Sequence, residues 1–202
     1  MSAALESLLA EVRACTLCAP HLPHGPRPVL QADSRASVLV VGQAPGRKVH
    51  ASGLPFDDAS GDRLRDWLGI DLATFYDASR IALLPMGFCY PGTVAGADLP
   101  PRPECAPAWR PRLLAQLPHV RLTILLGRYA LAAHLHAPGG KRLLSVADAV
   151  LDWRATAPAL FPLPHPSPRN RLWLRRHPWF EAELLPALRV QVQRVLAPSP
   201  DP

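Results

Sequence analysis

Two short motifs, each placed after an apolar run, constrain the fold of this chain more than any other feature. Residues 37–41 lead directly into Gly42-Gln43-Ala44-Pro45-Gly46 (the GQAPG motif), and residues 160–163 lead into His165-Pro166-Ser167-Pro168 (the HPSP motif). Short apolar runs that end in Gly and Pro are typical of buried strands. Because open parallel sheets bind ligands at the carboxyl ends of their strands, both motifs are expected at one site, where backbone N–H groups and an imidazole meet.

The rest of the sequence alternates helical and extended patterns. Helices are predicted over residues 3–14, 59–68, 107–117, 127–136, 143–151 and 178–196, and strands over residues 38–41, 80–86, 121–126 and 160–163. Ser60 is the expected N-cap of the second helix, and Gly69 lies just past its end. Strands separated by helices indicate an α/β fold, a parallel sheet covered on both faces. A single domain over residues 1–202 is expected, with a frayed tail at residues 196–202.

Four cysteines form a further pattern: Cys15 and Cys18 are a C-x2-C pair, and Cys89 and Cys105 lie far downstream. The N-terminus lacks a signal-peptide pattern and no apolar run has membrane-spanning length, so a cytoplasmic protein without a membrane partner is expected. In a reducing compartment four thiols are more often metal ligands or buried side chains than disulfides. The wide second spacing is unlike a zinc ribbon, so it favours an iron–sulfur cluster, with zinc as the alternative.

Taken together, these features resemble the uracil-DNA glycosylase superfamily, and most closely its iron–sulfur family-four type. The resemblance rests on the cysteine spacing, the GQAPG motif, Gly53-Leu54-Pro55-Phe56 and the HPSP motif, which follow one another in the same order. It implies a three-layer α/β/α sandwich with a central four-stranded parallel sheet and a 4Fe–4S cluster on the four cysteines. It also implies a monomer that acts on DNA, hydrolysing the N-glycosidic bond of uracil or a 5-substituted uracil and so initiating base excision repair.

The resemblance also suggests roles for individual residues. Glycosidic hydrolysis places negative charge on the departing base, which must first leave the duplex stack. Backbone N–H groups of Gln43 and Ala44, together with His165, are expected to hold that charge, and Phe56 is expected to stack on the extruded base. Further residues predicted to bind the substrate are Gly42, Pro45, Gly46 and Met86.

The sequence departs from the family-four pattern at two positions and from the best-known uracil-DNA glycosylases at a third. Gln43 stands where those proteins have an acidic residue; its amide can orient a water or a base edge but cannot act as a base. Pro85 replaces the Asn that reads the uracil edge, and Gly46 replaces the bulky Tyr of the best-known uracil-DNA glycosylases. A divergent subfamily whose pocket tolerates 5-substituted uracils is therefore expected.

The nearest carboxylates to the first motif are Asp57 and Asp58, which we consider as catalytic candidates together with Gln43. Either could stabilise the cationic sugar of the transition state. The alternative is a structural role, because acidic residues are favourable at the N-terminus of a helix such as the one predicted from residue 59.

Charge points to a nucleic-acid partner. The net charge is +6, and only Lys48 and Lys141 among the 22 basic residues are not arginine. The predicted DNA contact is a rigid loop that enters the minor groove and brings arginine to phosphate; it consists of Ser167, Pro168, Arg169, Asn170 and Arg171. A DNA-binding or damage-sensing module with a vestigial site remains an alternative. A hydrolase or transferase of free nucleosides is a third reading, disfavoured because free nucleosides need no basic track.

Overall fold

The central element is a parallel sheet. The computed structural model of the chain describes residues 2–135 and 145–197. Within these residues the strands are β1 (Val38–Val41), β2 (Ile81–Leu83), β3 (Thr93–Val94), β4 (Ala97–Asp98), β5 (Leu122–Leu126) and β6 (Leu160–Leu163). Four of them form the sheet in the order β2–β1–β5–β6, with all neighbours parallel, whereas β3 and β4 form a separate antiparallel hairpin. All four β1 residues are buried, as expected for a central strand covered on both faces.

Helices cover both faces of this sheet. The α-helices among the described residues are α1 (Ala3–Arg13), α2 (Arg47–Ser52), α3 (Ala59–Leu68), α4 (Leu72–Tyr76), α5 (Cys105–Leu114), α6 (Gly127–His134), α7 (Val146–Leu151), α8 (Arg171–Arg176) and α9 (Leu185–Leu196). Val38 and Val40 of β1 pack in a core with α3 and α9. Leu39 and Val41 point the other way and pack with α1, α5 and α6. The predicted α/β/α sandwich with a four-stranded parallel sheet is confirmed.

The second strand is shorter than the predicted 80–86, for a chemical reason. The Leu84 N–H still donates to the Val40 carbonyl at 3.0 Å, but Pro85 has no N–H to continue the ladder. The chain then runs beside the GQAPG motif, where the Met86 N–H donates to the Gly42 carbonyl at 3.0 Å. The proline thus ends the strand and leads the chain along the floor of the candidate site.

Several helix boundaries differ from the predictions. The N-cap of α3 is Asp58 rather than Ser60, because the Asp58 side chain accepts the N–H groups of Ser60 and Gly61. Helix α5 starts at Cys105, two residues before the predicted start. The predicted helix 178–196 divides into a π-helical turn (Phe180–Leu184) and α9, and Pro186 at this junction has no N–H to donate.

The remaining differences between the predicted and the observed elements concern three short helices and the chain ends. Helices α2, α4 and α8 were not predicted, since five or six residues are too few to establish a helical period. Residues 136, 143 and 144 of the predicted helices lie outside the described residues. Leu196 is buried at the end of α9, and residues 198–202 of the predicted tail also lie outside the described residues. No helix in the described ranges is long and apolar enough to cross a membrane.

Candidate active site

The GQAPG motif forms the turn between β1 and α2, and the segment after β2 holds it in place. The Gly87 N–H donates to the Gln43 carbonyl at 2.9 Å, next to the Met86–Gly42 bond. Gly42 is closely packed: a Cβ atom at this position would lie 3.2 Å from Cζ of Phe56, so the ring would have to shift by a few tenths of an ångström. Gly46 is different: it has an ordinary backbone conformation as the N-cap of α2, and a Cβ atom at this position would make only ordinary van der Waals contacts.

Phe56 is held against this turn in an unusual backbone conformation. Its φ angle is 57°, in the left-handed region that non-glycine residues rarely adopt. The ring contacts Gly42 and meets Phe75 edge to face, with the centroids 6.0 Å apart. On the other side, the first turn of α3 approaches the Phe56 carbonyl so closely that only glycine fits at position 61. Such strained residues often occur at functional sites, where the surrounding structure over-determines them.

His165 follows β6, and its local hydrogen bonds define its tautomer. The backbone N–H of Ser167 donates to Nδ1 of His165 at 3.2 Å. Burial lowers the pKa of His165 below its usual 6.5, although the carboxylates of Asp58 and Asp98 act in the opposite direction. The imidazole is therefore neutral at pH 7, and because Nδ1 accepts a hydrogen bond, the proton resides on Nε2. His165 can thus act as a hydrogen-bond donor through Nε2.

The two motifs meet in a pocket of about 510 Å³ at the carboxyl ends of the strands. Most of the residues predicted for the site line this pocket: Gly42, Gln43, Ala44, Pro45, Gly46, Phe56, Asp58, His165, Ser167, Pro168, Arg169 and Asn170. Pro85 lines it as well. The structure therefore brings both motifs, the candidate stacking ring and one candidate carboxylate into one cavity; the roles of these residues remain predictions.

Three residues predicted for the site lie outside this pocket in the described part of the chain. Asp57 is exposed next to the mouth, and Arg171 is exposed at the start of α8. The Met86 side chain lines a neighbouring, mainly apolar cavity of about 650 Å³ that also includes Leu99 and Tyr129. Met86 therefore contributes its backbone, rather than its side chain, to the turn that forms the pocket.

Asp98 is the site residue that sequence reasoning missed. It is the last residue of β4 and lines the pocket opposite the first motif. A Cβ atom at position 46 would lie 3.8 Å from Oδ2 of Asp98 and 3.9 Å from Oδ2 of Asp58, so both carboxylates face this spot. The available signal was weak: Gly96 in a short turn, with strands of only two residues on either side.

Three side chains tie the loops around the pocket together. The Gln43 amide donates through Nε2 to the Leu99 carbonyl at 3.0 Å, which fixes the end of the hairpin. Arg63 of α3 donates to the carbonyls of Pro166 and Ser167, at 3.0 and 3.1 Å. Arg169 donates to the Gly96 carbonyl at the hairpin tip. The HPSP motif, the hairpin and α3 thus form one connected rim.

The four cysteines also lie together, in the part of the molecule where the end of α1 leads into the C-x2-C pair. Cys15, Cys18, Cys89 and Cys105 are free thiols and line a single small cavity. Burial raises the pKa of Cys89 to about 11 and that of Cys105 to about 12, and repulsion by the neighbouring thiols acts in the same direction. Thiols in this state must lose their protons to bind a metal.

Two N–H groups already point at these sulfurs, as in the surroundings of thiolate ligands. Nε1 of Trp109 donates to Sγ of Cys15 at 3.3 Å, and the Phe88 N–H donates to Sγ of Cys105 at 3.4 Å. Among residues 2–135 and 145–197, however, no three His, Cys, Asp or Glu side chains are arranged around a common point as ligands of one metal ion. The four thiols that share this cavity are nevertheless the donor type that holds an iron–sulfur cluster or zinc.

Fold and pocket place the chain among the α/β proteins that bind their ligands at the carboxyl ends of a parallel sheet. The family model of the uracil DNA glycosylase superfamily matches residues 30–189, and the chain belongs to this superfamily. It is also similar to a protein from Methanosarcina acetivorans, provisionally designated a uracil DNA glycosylase, whose structure was solved by NMR in solution. The two are 16% identical, with 81% of this chain and 98% of that chain covered and a TM-score of 0.42. The predicted superfamily is confirmed, while the iron–sulfur subfamily stays a prediction.

Proposed function

We propose that this protein is a DNA glycosylase that hydrolyses the N-glycosidic bond of uracil or a 5-substituted uracil in DNA. Enzymes of its superfamily generally hydrolyse N-glycosyl bonds. The observation that carries the proposal is His165, a neutral imidazole with its proton on Nε2, in the same pocket as the GQAPG turn. This is the donor that a departing base anion needs.

Different pocket residues would act on the base and on the sugar. A base extruded from the duplex would stack on Phe56, and its developing negative charge would be held by Nε2–H of His165 and the N–H groups of Gln43 and Ala44. Asp58 is fixed by its Oδ1, which accepts N–H bonds from Ser60 and Gly61 at 2.9 and 3.0 Å. Its Oδ2 is left to face the pocket, where negative charge would stabilise the cationic sugar.

DNA would be held by the rim of the pocket and the segment behind it. The loop that carries Ser167, Pro168 and Asn170 is stiffened by its prolines and by the Arg63 tether, which suits insertion into the minor groove. Arg169 and Arg171 are exposed and can meet phosphate groups. We expect the protein to act on DNA as a monomer.

The decisive test is single-turnover cleavage of oligonucleotides that contain one uracil or one 5-substituted uracil, with binding measured alongside. Release of the base supports the proposal. Binding without release would identify the damage-sensing module instead. Turnover confined to free nucleosides would identify the third class of function.

We further propose that Cys15, Cys18, Cys89 and Cys105 hold a 4Fe–4S cluster. The purified protein should be brown and contain about four iron and four sulfide per chain, because four thiolates are the usual ligands of such a cluster. The cluster would have a structural role, joining the segment after α1 to the loop before α5. Iron and sulfide analysis with absorption spectroscopy after anaerobic purification checks this prediction.

A cysteine variant and a control variant test whether the four cysteines hold the iron. Cys89→Ala should lose iron and lower the unfolding temperature. Leu151→Ala, a change of an exposed side chain in α7 that does not line the cysteine cavity, should keep both unchanged. One zinc per chain in place of iron would contradict the cluster and favour the zinc alternative.

Substrate selectivity should depend on position 46. We expect the wild type to release both uracil and 5-hydroxymethyluracil, because Gly46 has no side chain at the place that the two carboxylates face. Gly46→Tyr should retain uracil and lose 5-hydroxymethyluracil by at least about tenfold, as a side chain now fills the room for the 5-substituent. Single-turnover rates for both bases, opposite G and opposite A, measure the effect.

Gly46→Ala is the control for this pair, since a Cβ atom at position 46 has only ordinary contacts. It should change neither rate by more than about twofold. Equal loss of both activities in Gly46→Tyr, or a wild type that rejects every 5-substituted base, would contradict the role of this position.

A further inference from the structure

The pocket contains a carboxylate that neither motif supplies. Asp98 ends the β3–β4 hairpin, and its Oδ2 faces the same spot as Oδ2 of Asp58, beside Gly46. The Asp98 carboxylate also interacts electrostatically with His165. It favours a higher pKa of the imidazole, whereas the larger effect of burial lowers that pKa. Asp98 therefore lies in the same cavity as Asp58 and His165.

The turn and the hydrogen bonds of the β3–β4 hairpin fix the position of Asp98 in the pocket. Residues 95 and 96 turn the chain with positive φ angles of 48° and 75°, and the Leu99 N–H donates to the Gly92 carbonyl at 2.9 Å. The Thr93 hydroxyl donates to Oδ1 of Asp98 at 3.2 Å and is itself bonded to the Tyr90 hydroxyl. Oδ1 is therefore oriented by the hairpin, while Oδ2 is directed to the pocket.

Gln43 supplies the link between this hairpin and the first motif. Its amide Nε2 donates to the carbonyl of Leu99, the residue after Asp98. Gln43, which stands where family-four proteins have an acidic residue, therefore holds Leu99, the residue next to Asp98. A carboxylate is brought to the pocket from a different loop.

We propose that Asp98 is the general base that activates the hydrolytic water, and that Gln43 positions it. This inference rests on the proposed glycosylase function. The water oxygen bonds to C1′ of the sugar while one water proton moves to Oδ2 of Asp98. The bond between C1′ and the base breaks, and its electron pair leaves with the base, where His165 holds the charge. The proton on Asp98 then passes to the base or to solvent, so one water is consumed and an abasic site and a free base are formed.

The other two carboxylates near the pocket suit this role less well. Asp57 is exposed and outside the pocket. Asp58 is engaged as the cap of α3, where its side chain accepts the N–H groups of Ser60 and Gly61. Asp58 therefore suits stabilisation of the cationic sugar. Asp98 suits proton transfer, because it is exposed to solvent, which supplies the hydrolytic water.

The test compares single-turnover excision by Asp98→Asn, Asp57→Asn and the wild type on a uracil oligonucleotide. Asp98→Asn should be at least about 100-fold slower, the usual contribution of a general base, with unchanged DNA affinity and unfolding temperature. Asp57→Asn makes the same charge change outside the pocket and should stay within about twofold. In Asp98→Ala, added formate should restore part of the rate, whereas it should not do so in His165→Ala.

A double-mutant cycle tests the positioning role of Gln43. Gln43→Leu should slow the wild type about tenfold but should slow Asp98→Asn hardly further, because both changes act on one group. Multiplicative effects would overturn the positioning role. An active wild type with Asp98→Asn within threefold of its rate would overturn the general-base assignment alone. A wild type inactive on every uracil-like base would overturn the proposed function, and this inference with it.

Discussion

Replacing His165 with Ala is expected to slow the single-turnover release of uracil from DNA by about 10²–10³-fold. The Ser167 N–H donates to Nδ1, which leaves the proton on Nε2 of a neutral imidazole inside the pocket. This donor acts on charge that appears on the base only as the glycosidic bond breaks. Its loss should therefore fall on the chemical step and leave DNA affinity nearly unchanged.

Two further variants make this result interpretable. His119→Ala removes an exposed imidazole far along the chain from both motifs and should retain full activity. His165→Gln keeps an N–H donor on a side chain of similar reach and should recover part of the lost rate. Cleavage by His165→Ala at the wild-type rate, with substrate fully bound, would exclude His165 from the reaction.

Replacing Gly61 with Ala should lower the free energy of unfolding by about 3 kcal/mol, the upper end of the usual cost of overpacking. A Cβ atom at position 61 would lie 1.8 Å from the carbonyl oxygen of Phe56 and 2.9 Å from its Cβ. Phe56 already has a φ angle of 57°, so it has little freedom to move away without losing its contact with Gly42. Excision should fall as well, because the displaced ring is the proposed stacking surface for the base.

Gly46→Ala is the matched control, as it adds the same methyl group to a glycine of the pocket where a Cβ atom makes only ordinary contacts. It should change the free energy of unfolding by less than about 0.5 kcal/mol. Chemical denaturation of both variants at pH 7 gives the two values. A Gly61→Ala protein as stable as Gly46→Ala would show that α3 can move relative to Phe56 at little cost.

Regular elements were the part of the fold most readily predicted from the sequence. The strands at 38–41 and 160–163 have the predicted bounds, because each is a short apolar run that a Gly or Pro segment ends. The strand that begins at residue 81 was predicted to run three residues too far at its carboxyl end, since Leu84 and Met86 continue the apolar pattern although Pro85 ends the ladder. The two-residue strands of the hairpin have no period at all, so nothing in their sequence distinguishes them from a loop.

The superfamily, the parallel α/β architecture and the meeting of the two motifs could all be predicted from the amino-acid sequence alone. Parallel topology alone accounts for this meeting, because it brings the carboxyl ends of β1 and β6 to one edge. Three placements could be seen only in the folded chain: Asp98 enters the pocket, Gln43 holds the hairpin that carries it, and Met86 faces a different cavity. They depend on hydrogen bonds such as Gln43–Leu99 and Met86–Gly42, which join irregular segments far apart in the chain, where no local pattern records which loop will pack on which.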